Sequence, residues 1–139
     1  MLERISPAEA KRRMDEEGYA YLDVRAVHEF EQGHPVGAYN VPLLHMGTAG
    51  MEPNPDFLAT VGRAFPPERR LVIGCRSGIR SVRAAEQLLA AGYTGVVELR
   101  TGYGGRRGPF GELTEPGWLG LGLPTSTEAA PGRSWAELR

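Results

Sequence analysis

An α/β domain built on a mostly parallel central sheet, flanked by helices on both faces, is the fold this sequence predicts. Three observations carry that prediction. Helix-like and strand-like segments alternate along the chain. The inner strand candidates, "RLVIG" (70–74) and "GVVEL" (95–99), are continuous apolar runs of the kind covered on both faces. The 139 residues, 41% apolar and 24% charged, suffice for one good core and are too few for two domains of ordinary size. A single domain is expected over residues 1–125, with 126–139 as a loosely packed tail.

The elements follow in order. "SPAEAKRRMDEEG" (6–18) predicts a helix, with Ser6 as N-cap, Pro7 at the first helical position, Glu9 closing a capping box and Gly18 as the left-handed stop. "YAYLDV" (19–24) is aromatic and apolar enough for a strand, and "VHEFEQ" (27–32) for a helical turn ended by Gly33. A short extended piece is expected around Tyr39 to Val41, and a helix from Asp56 to Phe65, stopped by Pro66 and Pro67. After the strand at 70–74, Ile79, Val82, Ala85, Leu88 and Leu89 recur at helical spacing, and Gly92 ends that helix.

Charge and composition remove several function classes. The formal net charge is −1 and the basic residues are scattered, so no electrostatic footprint for nucleic acid is present. No apolar stretch approaches the roughly 18 residues of a membrane span. "MLERISPAEAKRR" lacks the apolar segment of a secretory signal, and one cysteine forms no internal disulfide; both lead to the expectation of a cytoplasmic protein.

The chemistry is expected at "GCRSGIRS" (74–81), where the single cysteine stands at the turn from an inner strand into a helix. In such sheets function collects beyond the carboxyl ends of the strands. If residues 75–80 curl into the first helical turn, their N–H groups lack intrahelical partners and form an anion cradle, favoured further by the helix dipole. Gly78 permits torsions that a Cβ resists, Ser77 adds a small donor, Ile79 completes the turn, and Arg76 and Arg80 bring positive charge to the rim. Such surroundings favour the thiolate of Cys75, the nucleophilic form. A lone cysteine after an apolar strand is most often an inert core residue. Flanking arginines and a nearby glycine fit a core poorly and turn the reading toward a reactive thiol.

"CRSGIRS" resembles the active-site loop of rhodanese-domain sulfurtransferases: a cysteine, a short glycine-containing stretch, then Arg80 and Ser81 leading into a helix. "YLDVRAVHEFEQGHPVGAYNVP" (21–42), "LRTGYGG" (99–105) and "EPGWLGLGLPTS" (115–126) resemble further pieces of that family in the same order. The resemblance implies a rhodanese-like domain. It also implies sulfane-sulfur transfer from a donor such as thiosulfate to cyanide or a thiol, through a persulfide on Cys75, with no metal or organic cofactor. Partners would be small-molecule donors and acceptors, and possibly a sulfur-accepting protein. A sulfur-delivery protein and a non-catalytic interaction module are the alternatives. Related phosphatases and arsenate reductases place their arginine after five intervening residues. Here four separate Cys75 from Arg80, and Ser81 stands where that arginine would be, which disfavours a phosphate clamp.

Asp23, Arg25 and Glu29 are expected as a supporting group. Asp23 and Arg25 leave the strand next to that of Cys75 and can make a charge-assisted contact, with Glu29 or Arg80 as neighbour. His28, His34 and His45 lack metal-site spacing, and His34 is read as pinning its loop. "GYGGRRG" (102–108) fails as a dinucleotide fingerprint, because Arg107 takes the third glycine position and Pro109 follows; it is read as a loop lining the site. Phe110 or Trp118 is expected to fill the space beside it.

Overall fold

The computed structural model describes residues 2–139. A short strand, β1 (Glu3–Ile5), leads into α1 (Pro7–Glu16). The Ser6 hydroxyl accepts from the Glu9 N–H at 3.1 Å, as a capping serine should. The reciprocal half of the capping box is absent, because Arg12 and Arg13 hold the Glu9 carboxylate instead. Then come β2 (Ala20–Asp23), α2 (Val27–Gln32), β3 (His34–Pro35) and β4 (Tyr39–Asn40), followed by a hairpin of β5 (Leu44–Gly47) and β6 (Gly50–Pro53). The helix α3 (Phe57–Ala64), strand β7 (Leu71–Gly74), helix α4 (Arg80–Ala90) and strand β8 (Val96–Leu99) complete the central layers. A small hairpin, β9 (Arg106–Arg107) with β10 (Leu113–Glu115), the strand β11 (Thr125–Ser126) and the last turn, α5 (Trp135–Leu138), close the chain.

Five strands form one sheet in the order β1-β8-β7-β2-β4, and every pairing in it is parallel. β7 and β2 are apolar or fully buried along their length because helices cover both faces. On one face Leu22, Leu71, Ile73 and Val96 pack with Phe57 and Val61 of α3 and Ala84, Ala85 and Leu88 of α4. On the other, Tyr21, Val72, Val97 and Leu99 pack with Ala10 of α1, Phe30 of α2, Tyr103 and Trp118. The register sets Asp23 beside Gly74 and Arg4 beside Glu98, which brings both pairs to the end of the sheet where β7 runs into α4. No helix among the described residues is long and apolar enough to cross a membrane.

Two expectations change, and one is decided between its two alternatives. Ile79 is 71% exposed and lies outside α4, whose buried face is Ser81, Ala84, Ala85 and Leu88. Of the two aromatic candidates beside the 102–108 loop, Trp118 is buried edge-on against Tyr21 at 5.6 Å, while Phe110 is 94% exposed at the tip of the β9–β10 hairpin. The C-terminal residues are not loosely held. β11 pairs with β3, the Arg133 guanidinium lies 4.5 Å over Tyr39, and Trp135 is buried in the core shared with α3 and α4. One large aromatic near the end of a polar segment outweighs the cost of ordering that segment. Trp135→Ala should therefore lower unfolding stability by about 3 kcal/mol, read from urea denaturation.

Candidate active site

Cys75 follows β7, and residues 75–79 form the turn into α4. The backbone of that turn is held from outside. Tyr103 N–H donates to the Cys75 carbonyl and Gly104 N–H to the Arg76 carbonyl, both at 2.8 Å, while Arg4 Nη2 donates to the Gly78 carbonyl at 3.3 Å. A trans peptide points its N–H opposite to its C=O, so these anchors turn the N–H groups of Arg76, Ser77 and Ile79 the other way. None of those three N–H groups has a partner among the described residues. α4 has no side-chain cap, so its first N–H groups are open as well. The turn is thus pinned from one side and carries unpaired N–H donors on the other.

Two glycines make the close approach possible. Gly78 has φ +95° and its missing Cβ would strike the Arg100 carbonyl. Gly102 has φ +67° and lies against the Arg76 and Cys75 carbonyls.

The sulfur is less open than the sequence suggests. Cys75 is 1% exposed and its flank belongs to the core that α4 covers. Its Sγ nonetheless has polar neighbours: the Gly78 N–H donates to it at 3.1 Å, and the Ser81 hydroxyl lies 3.2 Å away. Arg80 does not stand free on the rim. Glu29 takes both its terminal nitrogens, at 2.6 and 3.0 Å. Arg76 is exposed and makes no ion pair among the described residues, so it is the free guanidinium of the turn. Ser77 is half-buried beside it.

Asp23 and Arg25 are both buried and joined by a forked contact with a shortest distance of 2.7 Å. Arg25 also donates to the Gly33 carbonyl at 2.7 Å and lies 4.4 Å over the Tyr103 ring. The pair therefore reaches the cysteine turn through Tyr103, as the scaffold contact the sequence suggests. His34 is buried, with its ring nitrogens 2.7 and 3.0 Å from the Phe30 and Glu128 carbonyls, and so ties α2 to the C-terminal segment. A cleft of about 850 Å³ opens beside the turn, lined by Arg25, Glu29, Arg76, Tyr103, Arg107 and Leu119 among others.

Two residues at this site escape the sequence reading. Glu98, in the apolar strand β8, is fully buried; it accepts from Arg4 Nε at 2.6 Å and from the Ser81 hydroxyl. Arg4 comes from the edge strand β1, a three-residue polar stretch with no strand pattern of its own. A carboxylate in the middle of "VVEL" is the one signal that pointed to them.

Residues 6–105 match the Rhodanese-like domain family, and the chain belongs to that family. A curated relative, Thiosulfate sulfurtransferase 16, chloroplastic, of Arabidopsis thaliana, is 44% identical over 108 residues, which span 78% of this chain and 80% of the relative. Rhodanese-like domain-containing protein 15, chloroplastic, of the same plant is 41% identical over 97 residues, and there the match covers 70% of this chain but only 53% of the relative. The crystal structure of Rv0390 from M. tuberculosis superposes with a TM-score of 0.76 at 28% identity, covering 91% of this chain and 98% of that one. These findings bear out the rhodanese-like resemblance and its α/β fold. The expectation of a cytoplasmic location is overturned, because both curated relatives are named as chloroplastic. Relatives of this chain are named for more than one compartment, chloroplastic and mitochondrial, so composition and cysteine count do not set the address.

Two measurements test the geometry. Burial raises the Glu29 pKa, but the hydrogen bonds and charge of Arg80 outweigh it, and the net position is below the ordinary 4.5. A depressed folded value means the contribution is complete above 4.5 and is lost as pH falls through the lower folded value. Acid unfolding should therefore be shallower in Glu29→Gln than in the parent as pH falls below 4.5. Separately, Gly102→Ala places a Cβ against the Arg76 carbonyl at positive φ and should cost about 2 kcal/mol or more in thermal or urea unfolding.

Proposed function

We propose that the chain is a sulfurtransferase that moves a sulfane sulfur from a donor such as thiosulfate to a thiophilic acceptor, cyanide or a thiol, through a persulfide on Cys75. The observation that carries this reading is the pinned turn: the Gly78 N–H donates to the sulfur, and the N–H groups of Arg76, Ser77 and Ile79 in the same turn have no partner among the described residues. Relatives named thiosulfate sulfurtransferase support the same chemistry.

In the first half-reaction the Cys75 thiolate attacks the outer sulfur of thiosulfate. A sulfur–sulfur bond to Cys75 forms, the bond to the sulfonate sulfur breaks, and its electron pair leaves with sulfite. The persulfide carries its charge on a sulfur about 2 Å beyond Sγ, where unpaired N–H donors and the open end of α4 stabilise an anion. In the second half-reaction the acceptor attacks that outer sulfur, the persulfide bond breaks, and the thiolate is restored. Arg76 steers the anionic donor and Ser77 adds a hydroxyl donor. Arg80, held by Glu29, keeps the start of α4 in place, as Asp23 and Arg25 do for the Tyr103 side. No residue in this scheme needs a metal or an organic cofactor.

Incubation with thiosulfate should add one sulfur, about 32 Da, to the intact protein, and cyanide should remove it as thiocyanate. Cys75→Ala should show no gain. Absence of any gain in the parent with thiosulfate or a persulfide donor overturns the proposal and leaves a non-catalytic module.

A further inference from the structure

Glu98 is a fully buried carboxyl group that the sulfur-transfer scheme leaves unused. It occupies a position in β8 where an apolar residue would complete the strand, with Ile73 of β7 as its neighbour in register. Burying a carboxylate is costly unless its contacts repay it. Arg4 repays part from β1; the remaining contact leads directly to the nucleophile. The Ser81 hydroxyl donates to Glu98 Oε2, and Ser81 Oγ itself lies 3.2 Å from Cys75 Sγ.

Proton counting makes this chain informative. Ser81 has one hydroxyl proton and two neighbours that need it when both are ionised. While the Glu98 carboxylate holds that proton, Ser81 offers the sulfur only a lone pair, which suits an S–H donor. A thiolate instead needs the hydroxyl turned toward it, and Glu98 must then carry a proton to donate to Ser81. We propose that Cys75, Ser81 and Glu98 share one mobile proton, and that Glu98, anchored by Arg4, is the positioning residue that sets when the nucleophile ionises. In the transfer the sulfur–hydrogen bond of Cys75 breaks as its proton bonds to Ser81 Oγ, and the original Ser81 proton bonds to Glu98 Oε2. The net charge is unchanged, so a thiolate is made without adding a second buried anion.

The surrounding charges fit this arrangement. Arg4 faces Glu98 from β1, and Tyr21, from β2, presents a buried hydroxyl that has no partner among the described residues and stays neutral. Around the sulfur, Arg80 is occupied by Glu29 and Arg25 by Asp23, so Ser81 and the Gly78 N–H are the groups that answer its charge directly.

The test is the thiolate's ultraviolet absorbance across pH in the whole chain, read as the difference from Cys75→Ala. In Glu98→Gln the side-chain oxygen still accepts from Arg4, while the amide donates to Ser81 and leaves the hydroxyl permanently aimed at the sulfur. The ionisation midpoint of Cys75 should fall by about one pH unit, a tenfold rise in the thiolate-to-thiol ratio at fixed pH. With Ser81→Ala in place, the same Glu98→Gln change should move the midpoint by less than half as much. An unmoved midpoint in a folded Glu98→Gln protein overturns the proposal, and so does an equal shift in both backgrounds, which would mean plain charge repulsion through space. Should Glu98→Gln not fold, the carbon-13 resonance of the Glu98 carboxyl in the parent decides. It should show a second inflection that disappears in Cys75→Ala, and a single inflection unaffected by that change sinks the idea. The role given to Glu98 in catalysis rests on the sulfur-transfer reading, but ionisation is measured without a donor. A midpoint shift in a protein that never gains sulfur keeps the shared proton and discards the transfer; sulfur gain with no shift does the reverse.

Discussion

The hydrogen bonds from Tyr103 and Gly104 to the carbonyls of Cys75 and Arg76 are the constraint on which the rest of the site depends. They fix the outer side of a turn in which the Gly78 N–H meets the sulfur and the N–H groups of Arg76, Ser77 and Ile79 have no partner among the described residues. The holding segment is itself held: Trp118 N–H donates to the Gly102 carbonyl and Leu119 N–H to the Tyr103 carbonyl, each at 3.0 Å. Trp118 is buried against Tyr21 and donates from its ring to the Pro124 carbonyl. Core packing on one face of the sheet is thereby transmitted to the peptide planes around Cys75.

Burial of charge is the second theme. Arg4 with Glu98 joins β1 to β8, Arg80 with Glu29 joins α4 to α2, and Arg25 with Asp23 closes locally at the end of β2. A charge is tolerated there because its partner and hydrogen bonds replace water. The pairing has a functional side. It occupies Arg25 and Arg80, leaving Arg76 as the exposed cation of the turn, next to a cleft large enough for a small anion and its acceptor. It also places a buried carboxylate two hydrogen bonds from the only thiol.

The C-terminal segment shows how a weak local signal is overruled. Residues 126–139 are polar and rich in turn formers, yet Trp135 enters the core, and the Glu128 carbonyl meets the buried His34. The segment forms one wall of the cleft through Ser126, Thr127 and Glu128. The wall of the cleft thus includes residues that look expendable when read locally.

Local pattern by itself determined the main elements: the capped helix after Ser6, the apolar strands at 71–74 and 96–99, the helix from Arg80, and a cysteine placed between strand and helix. These were legible because apolar periodicity, capping residues and glycine stops act over a few neighbours. Only the tertiary structure decided which arginine stays free, that the sulfur is covered, and that Arg4 and Glu98 stand 94 residues apart in sequence but in contact. β1, the small hairpins and α5 were illegible for the same reason. Their residues are polar or few, and what stabilises them is contact with distant parts of the chain, which no short window contains.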